Sequence, residues 1–159
     1  MKYFELSENK TLKLTNVLIK RLFKEDFENF ENFEKEIEQI ENYIKSKGYQ
    51  PLGPLIQYTT TKVNENGELD VIIKLMRQVS NYINHVEPPY SMESIIRIKD
   101  CMYVRYTGPE SKIKYAYDKI NLTAFEEDIE LKGDSYTVFV NQIDDNIVAD
   151  IFMERAKDE

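Results

Sequence analysis

Asp70-Val71-Ile72-Ile73 returns 80 residues later as Asp150-Ile151-Phe152-Met153. Each run is led by an aspartate and preceded by a turn signal, Asn64-Glu65-Asn66-Gly67 before the first and Asp144-Asp145-Asn146 before the second. The same shift lays Leu55-Ile56-Gln57-Tyr58 on Ser135-Tyr136-Thr137-Val138. Four residues after an aspartate match easily by chance, so the order of elements around them carries more weight than the identities.

Outward from the first run, residues 11–23 are rich in apolar and β-branched types and read as a strand. A long helix follows, with Phe27, Phe30, Phe33, Ile37, Ile40 and Ile44 spaced along one stripe. Glu25, Asp26 and Glu28 suit its first turns, Lys45 and Lys47 its end, and Gly48 its C′ position. Strands at 52–61 and 69–75 flank the Asn66-Gly67 hairpin signal.

After residues 80–92 the order starts again. A strand at 94–106 ends near Gly108-Pro109, and a helix over 110–128 places Ile113, Tyr117, Ile120 and Phe125 near a common face. Ala116 and Ala124 leave room for close packing, and strands at 135–140 and 147–152 complete the second set. The tail from Arg155 to Glu159 reads as frayed. The pattern predicts an α+β fold from a tandem βαββ duplication, with one antiparallel sheet and both long helices on one face. The halves are 1–80 and 93–155, joined by a linker over 81–92, in a single domain over 1–159 that leaves no residues for a helix-turn-helix module.

Composition excludes several kinds of chemistry. Cys101 is the only cysteine and His85 the only histidine, which removes intrachain disulfides, Cys-rich zinc sites, HExxH sites and three-histidine metal sites. There is no GxGxxG or GxxxxGK[ST] loop, and the reading includes no cofactor, no metal and no catalytic residue. No apolar run approaches the roughly 20 residues of a membrane span, so a cytoplasmic protein without membrane contact is expected. The net charge of −8 argues against direct nucleic-acid binding. The basic residues Lys2, Lys10, Lys13, Lys20, Arg21 and Lys24 read as solvated strand faces.

The runs Met102-Tyr103-Val104-Arg105-Tyr106-Thr107-Gly108-Pro109-Glu110, Ala116-Tyr117 and Asp134-Ser135-Tyr136-Thr137-Val138-Phe139 resemble the gyrase-inhibitor-like (GyrI-like) effector-binding domain. Gly48-Tyr49-Gln50-Pro51-Leu52-Gly53-Pro54 and Glu68-Leu69-Asp70-Val71 resemble its pattern in the first half. The resemblance implies a duplicated βαββ domain with a central cleft lined by aromatic residues and, in cation-sensing members, an acid at its base. Thr137 stands where the family strand carries a glutamate; Asp70, Glu93 or Asp150 could supply the charge instead, Asp70 being the most family-like. The candidate ligand-binding residues are therefore Tyr58, Asp70, Tyr103 and Tyr136. The chain is also similar to standalone members from Gram-positive bacteria.

The leading expectation is a non-enzymatic domain that binds a small-molecule effector, linked to transcription regulation or drug response. The alternative is a protein-interaction or antitoxin-like module that meets a basic partner protein through the acidic helix, where Glu25, Asp26, Glu28, Glu31, Glu34, Glu36, Glu38 and Glu41 face only Lys35. Its bland counterpart is a solvated face. A hydrolase of electrophilic small molecules ranks third, and a homodimer is compatible with the pattern. Tyrosines suit a cleft because they join an apolar face to a hydroxyl, yet they are also good strand formers. Tyr103 and Arg105 should share one face of their strand, with Val104 and Tyr106 on the other. His85 reads as a linker residue, Cys101 as buried and inert, and Asp144-Asp145 as a hairpin turn.

Overall fold

The computed structural model describes residues 4–23, 26 and 30–156, with side chains over 6–23, at 26 and over 33–156. Readings that fall on Lys2, Lys24, Glu25, Phe27, Glu28, the side chains of Phe30 and Glu31, and the tail beyond 156 lie outside these residues. The elements in chain order are β1 (Phe4–Leu22), α1 (Phe30–Ser46), β2 (Pro51–Val63), β3 (Leu69–Val79), β4 (Tyr90–Pro109), a 3₁₀ turn at Glu110–Lys112, α2 (Lys114–Glu126), β5 (Asp134–Ile143) and β6 (Asn146–Glu154). The class is α+β, with antiparallel strands.

The chain forms two compact units, one of Lys13–Ile96 and one that joins the residues up to Leu12 to those from Arg97 onward. In the first, β3 lies between β1 and β2; in the second, β6 lies between β4 and β5. In chain order β1, α1, β2 and β3 are followed by β4, α2, β5 and β6, with β1 and β4 each divided between the two units. The spacing is uneven: Pro51 to Asp134 is 83 residues and Leu69 to Asn146 is 77. The shift of 80 read from the sequence therefore does not hold element by element.

In the first unit, Ile40 and Ile44 of α1 pack against Leu18, Leu22, Leu75, Val79 and Ile83, with Phe33 and Ile37 at the margin. That is the stripe the three-to-four spacing predicts, and each such residue contributes about 1.5–3 kcal/mol when fully buried. Gly48, at φ +89, ends the helix, and the Tyr49 N–H reaches the Ile44 carbonyl at 3.2 Å. A left-handed residue one step past the last turn is the position that favours glycine.

In the second unit, Ala116, Ile120 and Ala124 of α2 pack against Met102, Val104, Tyr106, Ile147, Ala149, Ile151 and Met153. Ile113 and Tyr117 sit beside this core, whereas Phe125 is 81% exposed, contrary to the common face expected for it. The stripe runs through 113, 116, 117, 120 and 124. Five residues beyond Ile120, at roughly 100° per residue, Phe125 has rotated off it. Arg155 and Ala156 are also held, not frayed: Arg155 bridges Leu131, and the Ala156 N–H donates to the Glu130 carbonyl at 2.9 Å.

Charge enters the first unit's core. Lys20 is only 6% exposed and forms an ion pair with the equally buried Glu36, and its Nζ donates to Gln39 Oε1 at 2.9 Å. Arg77 Nη1 donates to Glu41 Oε1 at 3.0 Å. Lys20 is thus no solvated strand residue, because β1 turns it toward the helix whose carboxylates neutralise it.

Candidate functional site

Alternation along β4, β6 and β5 sorts the second unit's side chains onto two faces. Met102, Val104, Tyr106, Ala149, Ile151 and Met153 meet α2, so Tyr103, Arg105, Asp150 and Phe152 lie on the opposite face. The register pairs Tyr103 with Phe152 and Phe152 with Tyr136, which makes one aromatic row across three strands. The adjacent rung pairs Arg105 with Asp150 and Asp150 with Val138.

The Tyr103 and Phe152 ring centroids are 5.0 Å apart and tilted by 42°, within the range of favourable aromatic pairs. Tyr136 and Phe152 are buried, and Tyr103 is half-buried. The Tyr103 hydroxyl donates to Asp150 Oδ1 at 2.6 Å. Arg105 grips the same carboxylate with both prongs, Nε to Oδ1 at 2.8 Å and Nη2 to Oδ2 at 2.9 Å. Bidentate, charge-assisted pairs of this kind are the strongest and most directional in proteins. Lys10 adds its ammonium 5.7 Å from the Tyr103 ring centroid.

Removal from water, and then the hydrogen bond to Asp150, push the Tyr103 phenol up to about 12. The same carboxylate, through its hydrogen bonds and its charge, holds Arg105 more firmly protonated than usual. The result is an apolar aromatic row with a carboxylate at one end, itself held by a phenol and a guanidinium. Of this set Tyr103, Asp150 and Arg105 keep surface exposed, whereas Phe152 and Tyr136 are buried.

Of the four candidate residues, the structure brings Tyr103 and Tyr136 together on either side of Phe152. Tyr58 and Asp70 belong to the first unit. Tyr58 pairs with Lys74, whose ammonium lies 5.6 Å from its ring centroid. Asp70 pairs with Lys62 near the hairpin turn, is exposed, and accepts from Asn64 Nδ2 at 3.4 Å. Four residues of β3 separate the rungs of Tyr58 and Asp70, about 13 Å at the usual strand rise. Glu93 is exposed on β4 within the first unit. Thr137, at the family's glutamate position, is 1% exposed, and its hydroxyl hydrogen-bonds to that of Tyr117 on α2.

Phe152 and Arg105 are the partners the sequence reading did not select. Their signal was present in part, since Arg105 and Asp150 are opposite charges on apolar strands, but pairing them needs the β4–β6 register.

Among the described residues, no helix is long and apolar enough to cross a membrane. Compared with known proteins, no family model matches the chain and no curated protein matches it. Its fold is similar to solved structures. EcmrR, seen in the EcmrR–DNA complex in EcmrR-RPo, superimposes with a TM-score of 0.72 at 16% identity, over 98% of this chain and 58% of that one. This chain therefore spans little more than half the length of EcmrR. A hydrolase from Listeria innocua matches with a TM-score of 0.54 at 10% identity, over 96% of this chain and 91% of that one. A Staphylococcus aureus protein assigned to bacterial transcription regulation matches with a TM-score of 0.50 at 8% identity, over 94% and 99%.

Proposed function

We propose that this chain is a small-molecule-binding domain of the GyrI-like type, built from a duplicated βαββ unit and serving transcription regulation. The ligand lies against the Tyr103–Phe152–Tyr136 row, with Asp150 as the acid. The observation that carries this reading is the convergence of Tyr103 and Arg105 on one carboxylate beside that row. Likeness of fold to EcmrR and to a transcription regulation protein supports the regulatory setting.

The Arg105 clamp shapes the ligand. A fixed carboxylate already satisfied by a guanidinium offers little to an organic cation unless that cation displaces Arg105. A flat neutral body with a polar substituent gains the rings without that competition. Likeness to the Listeria hydrolase keeps hydrolysis as a second reading, in which Asp150 must act as a base. Both Asp150 oxygens are already engaged by Tyr103 and Arg105, which leaves no free oxygen aimed at a water for that role. The acidic-helix reading is weakened because Glu36 and Glu41 are spent on Lys20 and Arg77, although Glu34 and Glu38 remain exposed.

A thermal-shift screen of flat aromatic compounds, followed by calorimetry on Tyr103→Ala and Asp150→Asn, tests the proposal. Hits should stabilise the wild type and lose about tenfold in affinity in each variant. Hits that bind both variants unchanged, or turnover of the compound, would overturn it.

A further inference from the structure

Beyond the last β4–β6 rung, Cys101 with Glu154, the second unit holds a cavity of about 680 Å³ lined by Asn9, Arg97, Lys99, Asp100, Glu154, Arg155 and Ala156. It is separate from the aromatic row and shares no residue with it. Asn9 and Asp100 both stand at positive φ, +61 and +57, so β1 and β4 each kink where the cavity opens.

The charges there are not balanced by one another. Arg97 and Lys99 are exposed and form no ion pair with any described residue. Glu154 is nearly buried, and its Oε1 accepts from Lys132 Nζ at 3.1 Å, so its charge is met outside the cavity lining. Arg155 Nη2 lies 3.6 Å from Glu8 Oε2, and Glu127 is a second carboxylate that interacts with its charge, so Arg97 and Lys99 are the freer cations of the three. The chain's net charge of −8 makes a local cluster of three cations in one cavity stand out from its field.

We propose that this cavity binds a small molecule through a phosphate or diphosphate group, gripped by Arg97, Lys99 and Arg155. Guanidinium forks match phosphate geometry, and three cations against Asp100 and a Glu154 already met by Lys132 leave the lining net positive toward an anionic headgroup. The volume exceeds that of a lone phosphate and falls within the roughly 300–1,000 Å³ of small-molecule sites, leaving space for an organic portion.

Calorimetric titration of the full chain with pyrophosphate, and in parallel with succinate, tests the site. Wild type should bind pyrophosphate and bind it more tightly than succinate. The double variant Arg97→Gln/Lys99→Gln alters only exposed side chains and should lose about tenfold or more in affinity. Lys112→Gln/Lys119→Gln removes the same charge from exposed positions elsewhere and should leave binding unchanged. Failure of pyrophosphate to bind, an equal loss in both double variants, or equal affinity for succinate would each overturn the proposal.

Discussion

Tyr103 is held protonated by two neighbours of different kinds, the apolar surroundings that disfavour a phenolate and the Asp150 carboxylate that accepts a hydrogen bond from its hydroxyl. Its pKa is raised from 10.0 to about 12, so the stability it contributes is fully present below pH 10 and is lost as pH climbs through 12. In an alkaline absorbance titration, Tyr103→Phe should remove one late-ionising phenol; a variant with an unchanged late phase would contradict the assignment. Cys101 behaves similarly for a plainer reason. Full burial, reinforced by Glu154, Asp134 and Asp100, pushes its thiol up to about 11. At pH 8, a thiol reagent should leave the native protein unlabelled and modify one equivalent in denaturant, whereas fast native labelling would show the strand to be open.

At the scale of elements, the charge runs on β1 and α1 answer each other. Lys20 comes from the basic set on the strand and Glu36 from the acidic set on the helix, and they meet out of water beneath α1. Lys20→Ala should cost about 3–5 kcal/mol in urea unfolding, because it leaves Glu36 buried without a partner. Lys20→Met with Glu36→Leu should recover most of that loss, and a double variant no more stable than the single would refute the pairing. The sequence showed both charge runs but not their contact, since composition is blind to which residue of a solvated-looking stretch turns inward. Local periodicity was more informative: the Ile40 and Ile44 stripe, the Gly48 stop and the Asn66-Gly67 turn all lie where spacing and backbone preference put them. Phe125 shows the limit, because size and hydrophobicity suggested a core residue while the helix angle carried it outward. The Arg105–Asp150 clamp and the Phe152 row lay beyond local reading for another reason. They depend on register between strands more than 40 residues apart, which the hydrophobic pattern constrains only to a face.

For the molecule as a whole, a single histidine and a single cysteine exclude an intrachain disulfide and the His-rich and Cys-rich metal sites. The second unit carries the aromatic row on the face away from α2 and the cation-lined cavity past the end of its β4–β6 ladder. Both rest on the same pair of strands. Asp70, although it echoes Asp150 in sequence, sits at an exposed hairpin end without a comparable set of partners. The central claim is that the ligand sits on the aromatic row, and two-dimensional NMR of the chain saturated with a calorimetrically confirmed ligand tests it most directly. The largest shift changes and intermolecular contacts should fall on Tyr103, Phe152 and Tyr136, with the Arg105 side chain perturbed alongside. Contacts confined to the hairpin around Asp70, or to the exposed face of α1, would contradict it.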